Sequence, residues 1–400
     1  MRIGMMADLY MPHVSGITNY IRLNKKFLEE IGHEVFVFTF GDVDYKDEEI
    51  NVIRSPGLPL LETGLSLNLR HTRSARQLIR MMDVVHDHHP FISGPLALSY
   101  CRAPGIPVIF TNHTRYDLYA QAYLPILPGV IGEVAIETYM PTFCRACDMV
   151  IAPSPGMRDV LKGFGVDTQI EVVPNGVNLQ PFSETILPTE REELGFSNED
   201  TLLVYVGRLG PEKNVAFLLR SFAGAAQAFD NLGLLIVGDG PERENLEDRV
   251  RHMGMDSKVR FTGLIPYSQV PAYHKMADAF VTASVTEVHP LSIIEAMAAG
   301  LPVLGIQSPG VGDIVEDSVT GFLTKEEDLA AFTAKMVRLV TDHEKRKEMG
   351  QKASLEVKRY AIENTIQVMV EQYEMVISKG EKRKRGLRIR FSRMLDKWRS

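Results

Sequence analysis

Two successive α/β units, each a doubly wound parallel sheet, are predicted by three features of the 400-residue chain. Short β-rich runs alternate with helical patterns from end to end, which is how parallel sheets with crossover helices appear in sequence. The length and the 45% apolar content suffice for two ordinary cores. A polar stretch from Pro181 to Asp200 interrupts the alternation near the middle, as a domain linker does.

In the first unit the predicted strands are Arg2 to Ala7, Glu34 to Thr39, Val84 to Asp87, Pro107 to Thr111, Met149 to Ala152 and Gln169 to Val173. In the second they are Thr201 to Val206, Gly233 to Val237, Val259 to Thr262, Ala279 to Thr282 and Pro302 to Gly305. The expected boundaries are residues 1–182 for the first domain and 190–361 for the second. A helical pattern from Ile362 to Ser378 follows, expected to pack back on the first domain, and residues 379–400 form a basic tail. No short repeat is evident, and the tail is the only compositionally biased segment.

Several classes are disfavoured. Met1 to Asp8 lacks the apolar run of a secretory signal and looks like a first strand. Uncharged stretches such as Leu118 to Gly132 are broken by proline or glycine, short of the roughly 18 apolar residues a spanning helix needs. The cysteines are Cys101, Cys144 and Cys147. Cys144 and Cys147 have metal-like spacing, but no second pair completes a four-ligand set, so ordinary thiols in a reducing, cytoplasmic setting are expected. His86-Asp87-His88-His89 follows the apolar residues Val84 and Val85 and fits a strand end opening on a crevice better than a metal site.

The net charge of −7 is unevenly spread. From Lys379 to Ser400 ten basic residues face only Glu381 and Asp396, a net +8, which leaves −15 on the remaining 378 residues. A basic tail suggests nucleic acid or an anionic membrane. The acidic remainder and the lack of a recognition module disfavour nucleic acid.

In open α/β sheets ligands bind outside the carboxyl ends of the strands. After the strand ending at Val206 comes Gly207-Arg208-Leu209-Gly210-Pro211-Glu212-Lys213, where an arginine fork and a lysine point charge can neutralise a diphosphate. The next strand ends in Gly238-Asp239-Gly240, whose glycines permit close backbone approach to a ligand. The one after ends in Gly263-Leu264-Ile265, whose backbone could meet a nucleobase edge. Glu287 and Glu295, with seven residues between them, are expected in the loop before a helix and in its first turn. Carboxylates hold sugar hydroxyls while a helix N-terminus holds an anion, a combination that suits a nucleotide sugar.

Taken in order, several segments resemble family 4 of the retaining glycosyltransferases. They are Met11-Pro12-His13-Val14-Ser15-Gly16-Ile17, Gly32-His33-Glu34-Val35, Asp83-Val84-Val85-His86-Asp87-His88, Pro174-Asn175-Gly176-Val177, Gly207-Arg208 with Lys213, Gly238-Asp239-Gly240-Pro241, and the Glu287 to Glu295 motif. The resemblance spans almost the whole chain and implies the GT-B architecture, two Rossmann-like domains facing across a crevice. It further implies that Arg208 and Lys213 bind and stabilise the departing donor diphosphate, that Glu295 holds the ribose hydroxyls, and that Glu287 lies near the transferred sugar and its phosphate. Gly16 would let the first loop approach the diphosphate, and His113 would contact the donor sugar. Where the family often has Phe-Gly, this chain has His289-Pro290. Proline brings no N–H, so Pro290 is expected at the first helical position with the N–H groups of Leu291 and Ser292 binding the anion. Ser15 stands where a second glycine is common. No metal is obligatory, though the scheme leaves room for Mg2+ stimulation.

A lipid acceptor is expected on three grounds. Gly64 to Met82 carries Arg70, Arg73, Arg76 and Arg80 with no acid, as an interfacial helix would. Tyr116 to Pro128, aromatic and apolar, follows His113 and could line an acyl-chain entrance. The tail sets Arg388, Arg390 and Trp398 among apolar residues, and each basic group near an anionic bilayer contributes about 1 kcal/mol. With Phe110-Thr111-Asn112-His113-Thr114-Arg115-Tyr116, these features are similar to the diacylglycerol glucosyltransferases. The expectation is hexose transfer, glucose from a UDP-sugar, to diacylglycerol by an enzyme peripheral on the inner membrane face. The alternatives are a GDP-mannose enzyme acting on phosphatidylinositol, a soluble or polysaccharide acceptor, a sugar-nucleotide epimerase and a noncatalytic nucleotide-binding protein.

Overall fold

The computed structural model describes residues 1–59, 66–67, 70–118, 129–183 and 191–399. The first sheet contains β1 (Arg2–Met6), β2 (Glu34–Phe40), β3 (Val52–Ser55), β6 (Val84–Asp87), β7 (Val108–Thr111), β8 (Met149–Ala152) and β9 (Ile170–Val172) in the order β3-β2-β1-β6-β7-β8-β9. A small antiparallel pair, β4 (Leu58–Pro59) with β5 (Ser66–Leu67), stands apart. The second sheet holds β10 (Thr201–Val206), β11 (Leu232–Val237), β12 (Val259–Gly263), β13 (Ala279–Val281), β14 (Val303–Ile306) and β15 (Gly321–Thr324) in the order β12-β11-β10-β13-β14-β15. Within both large sheets every recorded pairing is parallel. Strands buried on both faces, such as Leu202-Leu203-Val204, explain why apolar runs rather than alternation marked them.

Two strands outside the sequence expectation, β3 and β15, close one edge of each sheet. β3 is partly covered and carries Arg54, which breaks the apolar signal. β15 opens on Gly321, which suggests a turn. A Cβ there would lie 2.1 Å from the Val303 carbonyl oxygen, so the edge strand needs glycine to reach its neighbour.

Two helix expectations are corrected. The basic helix expected over Gly64 to Met82 spans only Arg73–Ile79, started by Thr72, whose hydroxyl accepts from the Ala75 N–H at 3.2 Å. Arg70 precedes it, and residues 60–65 and 68–69 lie outside the described part. At the other end, the helix expected to stop at Ser378 continues as one backbone helix over Ile362–Arg399. The tail is therefore helical through Arg399. The side chains of Arg388, Arg390 and Trp398 lie outside the described part, as do most of Tyr116 to Pro128 and residues 184–190 of the linker.

The last helix packs on the first sheet. Ile362, Ile366, Met369 and Tyr373 share a core with Ile3, Met5 and Ile21. The chain passes between the sheets twice, and the two passages are pinned to each other. The Val177 N–H donates to the Tyr360 carbonyl and the Ile362 N–H to the Val177 carbonyl, both at 2.9 Å. Gly176 lies there because a Cβ would meet the Ile362 Cα at 2.9 Å.

Tyr373 is fully buried, and its hydroxyl lies 2.8 Å from His86 Nδ1, while His86 Nε2 lies 2.7 Å from the Thr111 hydroxyl. Burial pushes the His86 pKa down to about 3, so the ring is neutral and both nitrogens need these partners. Tyr373→Phe leaves Nδ1 unpaired, and urea unfolding should report a loss of about 1–3 kcal/mol.

Candidate functional site

Sheet order locates the site. In the second sheet the order reverses between β10 and β13, and a doubly wound sheet opens its crevice at the carboxyl ends of such strands. The loop after β10 carries Arg208 and Lys213; the loop after β13 carries Glu287. The two loops meet in an ion pair, Lys213 Nζ to Glu287 Oε1 at 2.6 Å, with both side chains about four-fifths covered. The Ser284 and Thr286 hydroxyls each donate to the Glu212 carbonyl at 3.4 Å, tying the loops together behind that pair.

Arg208 lies beside Glu212, Nη1 to Oε1 at 3.6 Å. Its carbonyl accepts from the buried Tyr205 hydroxyl at 3.0 Å, which fixes the turn that presents the guanidinium. The glycines after β11 support the same turn. A Cβ on Gly238 would lie 2.0 Å from the Gly207 carbonyl oxygen, and one on Gly240 would lie 2.5 Å from that of Leu209. The close approach expected of these glycines toward a ligand is taken up by the neighbouring loop. They hold the Arg208 turn through its backbone.

The helix Leu291–Ala298 carries the second glutamate. Pro290 is the residue before the helix, with φ −72° and ψ 118°, so Leu291 rather than Pro290 takes the first helical position. The first turn holds no acid: Glu295 is the fifth residue and lies in the second turn, not the first as expected. The N–H groups of Leu291 and Ser292 fall in the turn that has no intrahelical acceptor, so they remain suited to an anion. The position of Pro290 is set by packing. The His289 carbonyl accepts from Asn175 Nδ2 at 3.0 Å, and its ring meets Tyr360 edge-on at 4.8 Å. His289 is buried, which holds its pKa down to about 3.

Glu295 itself is 4% exposed and accepts a 2.6 Å hydrogen bond from the Tyr267 hydroxyl. Burial raises its pKa to about 7 against the lowering effect of that hydrogen bond. Tyr267 stands three residues past Leu264, which is 72% exposed, and two past Ile265, at the end of β12. Tyr267 thus joins the segment after β12 to the Glu295 helix. A lone loop tyrosine carries no spacing signal; only the fold brings it to Glu295.

On the facing sheet the order reverses between β1 and β6. Gly16 opens the helix Gly16–Glu30 after β1, and a Cβ there would meet nothing within 4 Å. Ser15 caps that helix reciprocally with Thr18, which accounts for serine where a glycine was expected. His113 follows β7, is 9% exposed, and shares a 3.0 Å hydrogen bond between its Nε2 and His88 Nδ1. Burial keeps both rings neutral, with pKa values well below the ordinary range. His13, on the loop before Gly16, has its pKa lowered by burial and then by the Arg208 charge.

Arg70, Arg73 and Arg80 are exposed on another surface, while Arg76 is half-buried with its Nε covered. The apolar side of their short helix, Ala75 and Ile79, is buried in the protein, so arginines rather than an apolar face are left outward. Among the described residues no helix is long and apolar enough to cross a membrane, and no cluster of three or more His, Cys, Asp or Glu side chains is arranged to hold a metal. The thiols of Cys101 and Cys144 are buried, Cys147 is half-buried, and no disulfide joins them.

Comparison with known proteins agrees with this architecture. Residues 14–181 match the model for Glycosyltransferase Family 4, and residues 188–356 match that for Glycosyl transferases group 1. An alpha-monoglucosyldiacylglycerol synthase from Streptococcus pneumoniae is 32% identical over 82% of this chain and 77% of its own length. One from Acholeplasma laidlawii is 28% identical over 96% and 99%. Anabaena HepE, solved with UDP and glucose, superposes with a TM-score of 0.76 at 18% identity, covering 94% of this chain and all of its own, which establishes the shared fold. With its two facing parallel sheets and the matches over both, the chain belongs to glycosyltransferase family 4 and is a hexosyltransferase of GT-B architecture.

Proposed function

We propose that the protein transfers glucose from UDP-glucose to 1,2-diacylglycerol, with retention of anomeric configuration, while bound peripherally to the cytoplasmic face of a membrane. The observation that carries the donor half is the convergence of Arg208, the Lys213–Glu287 pair, Glu295 and the Leu291 helix N-terminus at the carboxyl end of one sheet. The glucolipid synthases among the relatives support the acceptor half.

In this reading the diphosphate lies against Arg208, Lys213 and the Leu291 and Ser292 N–H groups, and Glu295 holds the ribose diol. The bond from the sugar C1 to the phosphate oxygen breaks as the bond from C1 to the acceptor oxygen forms on the same face. The departing phosphate oxygen takes the acceptor's proton. The protein then has to position the partners and stabilise the leaving charge, with no strong base required. Lys213, paired with Glu287, is the cation that takes the donor phosphate as counter-charge in this reading. His113, held by His88, touches the sugar from the opposite lip, and crevice closure keeps water from the donor. Arg208 and Lys213 supply charge neutralisation from the chain itself, so a resident metal is not obligatory, and Mg2+ acts as a companion of the donor diphosphate.

Incubation with UDP-glucose, UDP-galactose and GDP-mannose against diacylglycerol, phosphatidylinositol and soluble sugars, followed by mass spectrometry, tests the proposal directly. Monoglucosyldiacylglycerol with an α linkage is expected. A mannosylated or soluble product would overturn the substrate assignment, and free glucose in place of a glycolipid would overturn the acceptor. Arg208→Ala and Lys213→Ala should each lower kcat by about 10²–10³-fold, since each removes a charge aimed at the leaving group. Removing residues 379–400 should weaken binding to vesicles containing anionic lipid, and added salt should weaken binding by the intact chain. Undiminished vesicle binding by the truncated chain would remove the tail from the account.

A further inference from the structure

We infer that Tyr267 is a positioning residue of the donor site: its hydroxyl donates to one oxygen of the Glu295 carboxylate and orients the group so that the remaining acceptor positions take the nucleotide ribose. The inference rests on the assignment of Glu295 to the ribose given above, and adds a residue from a different element.

Glu295 lies on the helix Leu291–Ala298 and is 4% exposed; Tyr267 lies on the turn Tyr267–Gln269 after β12 and is 50% exposed. The 2.6 Å hydrogen bond to Oε1 joins the two. An ionised carboxylate accepts about four hydrogen bonds, so one phenol leaves room for a ribose diol on Oε2 and on the second lone pair of Oε1. Phenol to carboxylate is a charge-assisted bond of the stronger kind, and it fixes the carboxylate plane before ligand arrives. Behind Tyr267 its ring meets Phe182 at 6.4 Å, which restricts the side chain to this direction.

Among the described residues no cation pairs with Glu295 in place of Tyr267. Among the described residues, the titratable groups on the elements packed against the Glu295 helix, including Tyr273, His274, Lys275, Arg346 and Tyr360, make no hydrogen bond or ion pair with its carboxylate. Arg346 donates to the Val340 carbonyl at 3.2 Å and lies 3.7 Å from Asp278. His274 is buried between Phe182 and Phe280, and Tyr360 donates to the Asp313 carbonyl with Arg359 over its ring. The helix Gln180–Ser183 and strand β14 contribute no titratable side chain. Among the described residues the carboxylate is therefore buried without a counter-ion, and the phenol is its stabilising partner. Burial raises the Glu295 pKa to about 7, and the Tyr267 hydrogen bond works against that rise. Burial, then the Glu295 charge, pushes the Tyr267 pKa up beyond the working range, so the hydroxyl stays a donor.

The sign of the pH dependence follows. Ribose hydroxyls donate to the ionised form, so donor affinity should climb as pH rises through about 7 and level off above it. Removing the phenol should move that inflection up by about one pH unit, weakening donor binding about fivefold at pH 7 and hardly at all at pH 9.

Calorimetric titration with UDP-glucose from about pH 5.5 to 9, where the donor diphosphate does not titrate, decides the matter for the wild type, Tyr267→Phe and Glu295→Gln. Tyr267→Phe removes one oxygen from a half-exposed side chain and should fold as the wild type does. The expected result is an upward shift of the inflection in Tyr267→Phe with affinities converging at high pH, and weak, pH-independent binding in Glu295→Gln. A Tyr267→Phe curve that is unchanged, or lowered equally at every pH, overturns the positioning role while leaving the Glu295 assignment standing. Wild-type affinity in Glu295→Gln, or no binding by the wild type, overturns the donor-site assignment itself.

Discussion

One ion pair organises the candidate site of this protein. Lys213 and Glu287 come from loops 74 residues apart and meet at 2.6 Å over the switch point of the second sheet. Each would be a poorly solvated charge alone, because both side chains are mostly covered. Removing either partner of such a pair costs more than the pair contributes, since the other charge is stranded. The pair therefore constrains both loops: Arg208 is carried by the same turn as Lys213, and the start of the Leu291 helix follows Glu287 directly. In the proposed function a donor phosphate replaces the carboxylate as the lysine's counter-charge.

Behind the pair, backbone packing does what side chains cannot. The Gly238–Gly240 turn presses on residues 207–209 at distances that exclude any side chain, and Gly310 approaches the Glu287 carbonyl, where a Cβ would lie 2.4 Å away. The donor motif is also tied to both chain passages between the sheets. Asn175 holds the His289 carbonyl, Tyr360 holds its ring, and the Val177 and Ile362 N–H groups lock the passages together. His289, which departs from the family's usual residue, is used for packing at this junction.

Much of this was legible in the sequence because parallel strands buried on both faces leave continuous apolar runs, and because ligand groups in such folds follow strand ends. Arg208, Lys213, Glu287 and Glu295 could be named on those grounds. The edge strands β3 and β15 could not, since Arg54 and Gly321 mask them. The placement of Glu295 in the second helical turn and of Pro290 before the helix depended on a packing contact with Asn175, 114 residues away, that local pattern does not encode. Tyr267 was invisible for the same reason. The glycines of the Gly238 turn are required by the protein's own backbone, since a Cβ on either would meet residues 207–209. The basic helix was overextended because arginine spacing alone does not mark where a helix starts; Thr72 does, by capping it.

The central claim is that Lys213 and Glu287 act as one unit whose lysine is handed to the donor. A double-mutant cycle on UDP-glucose affinity, using Lys213→Met, Glu287→Gln and the double variant, measures that directly. The account predicts a coupling above about 1 kcal/mol between the two substitutions, with the double variant less impaired than the sum of the singles. Additive effects, with no coupling beyond error, would contradict it.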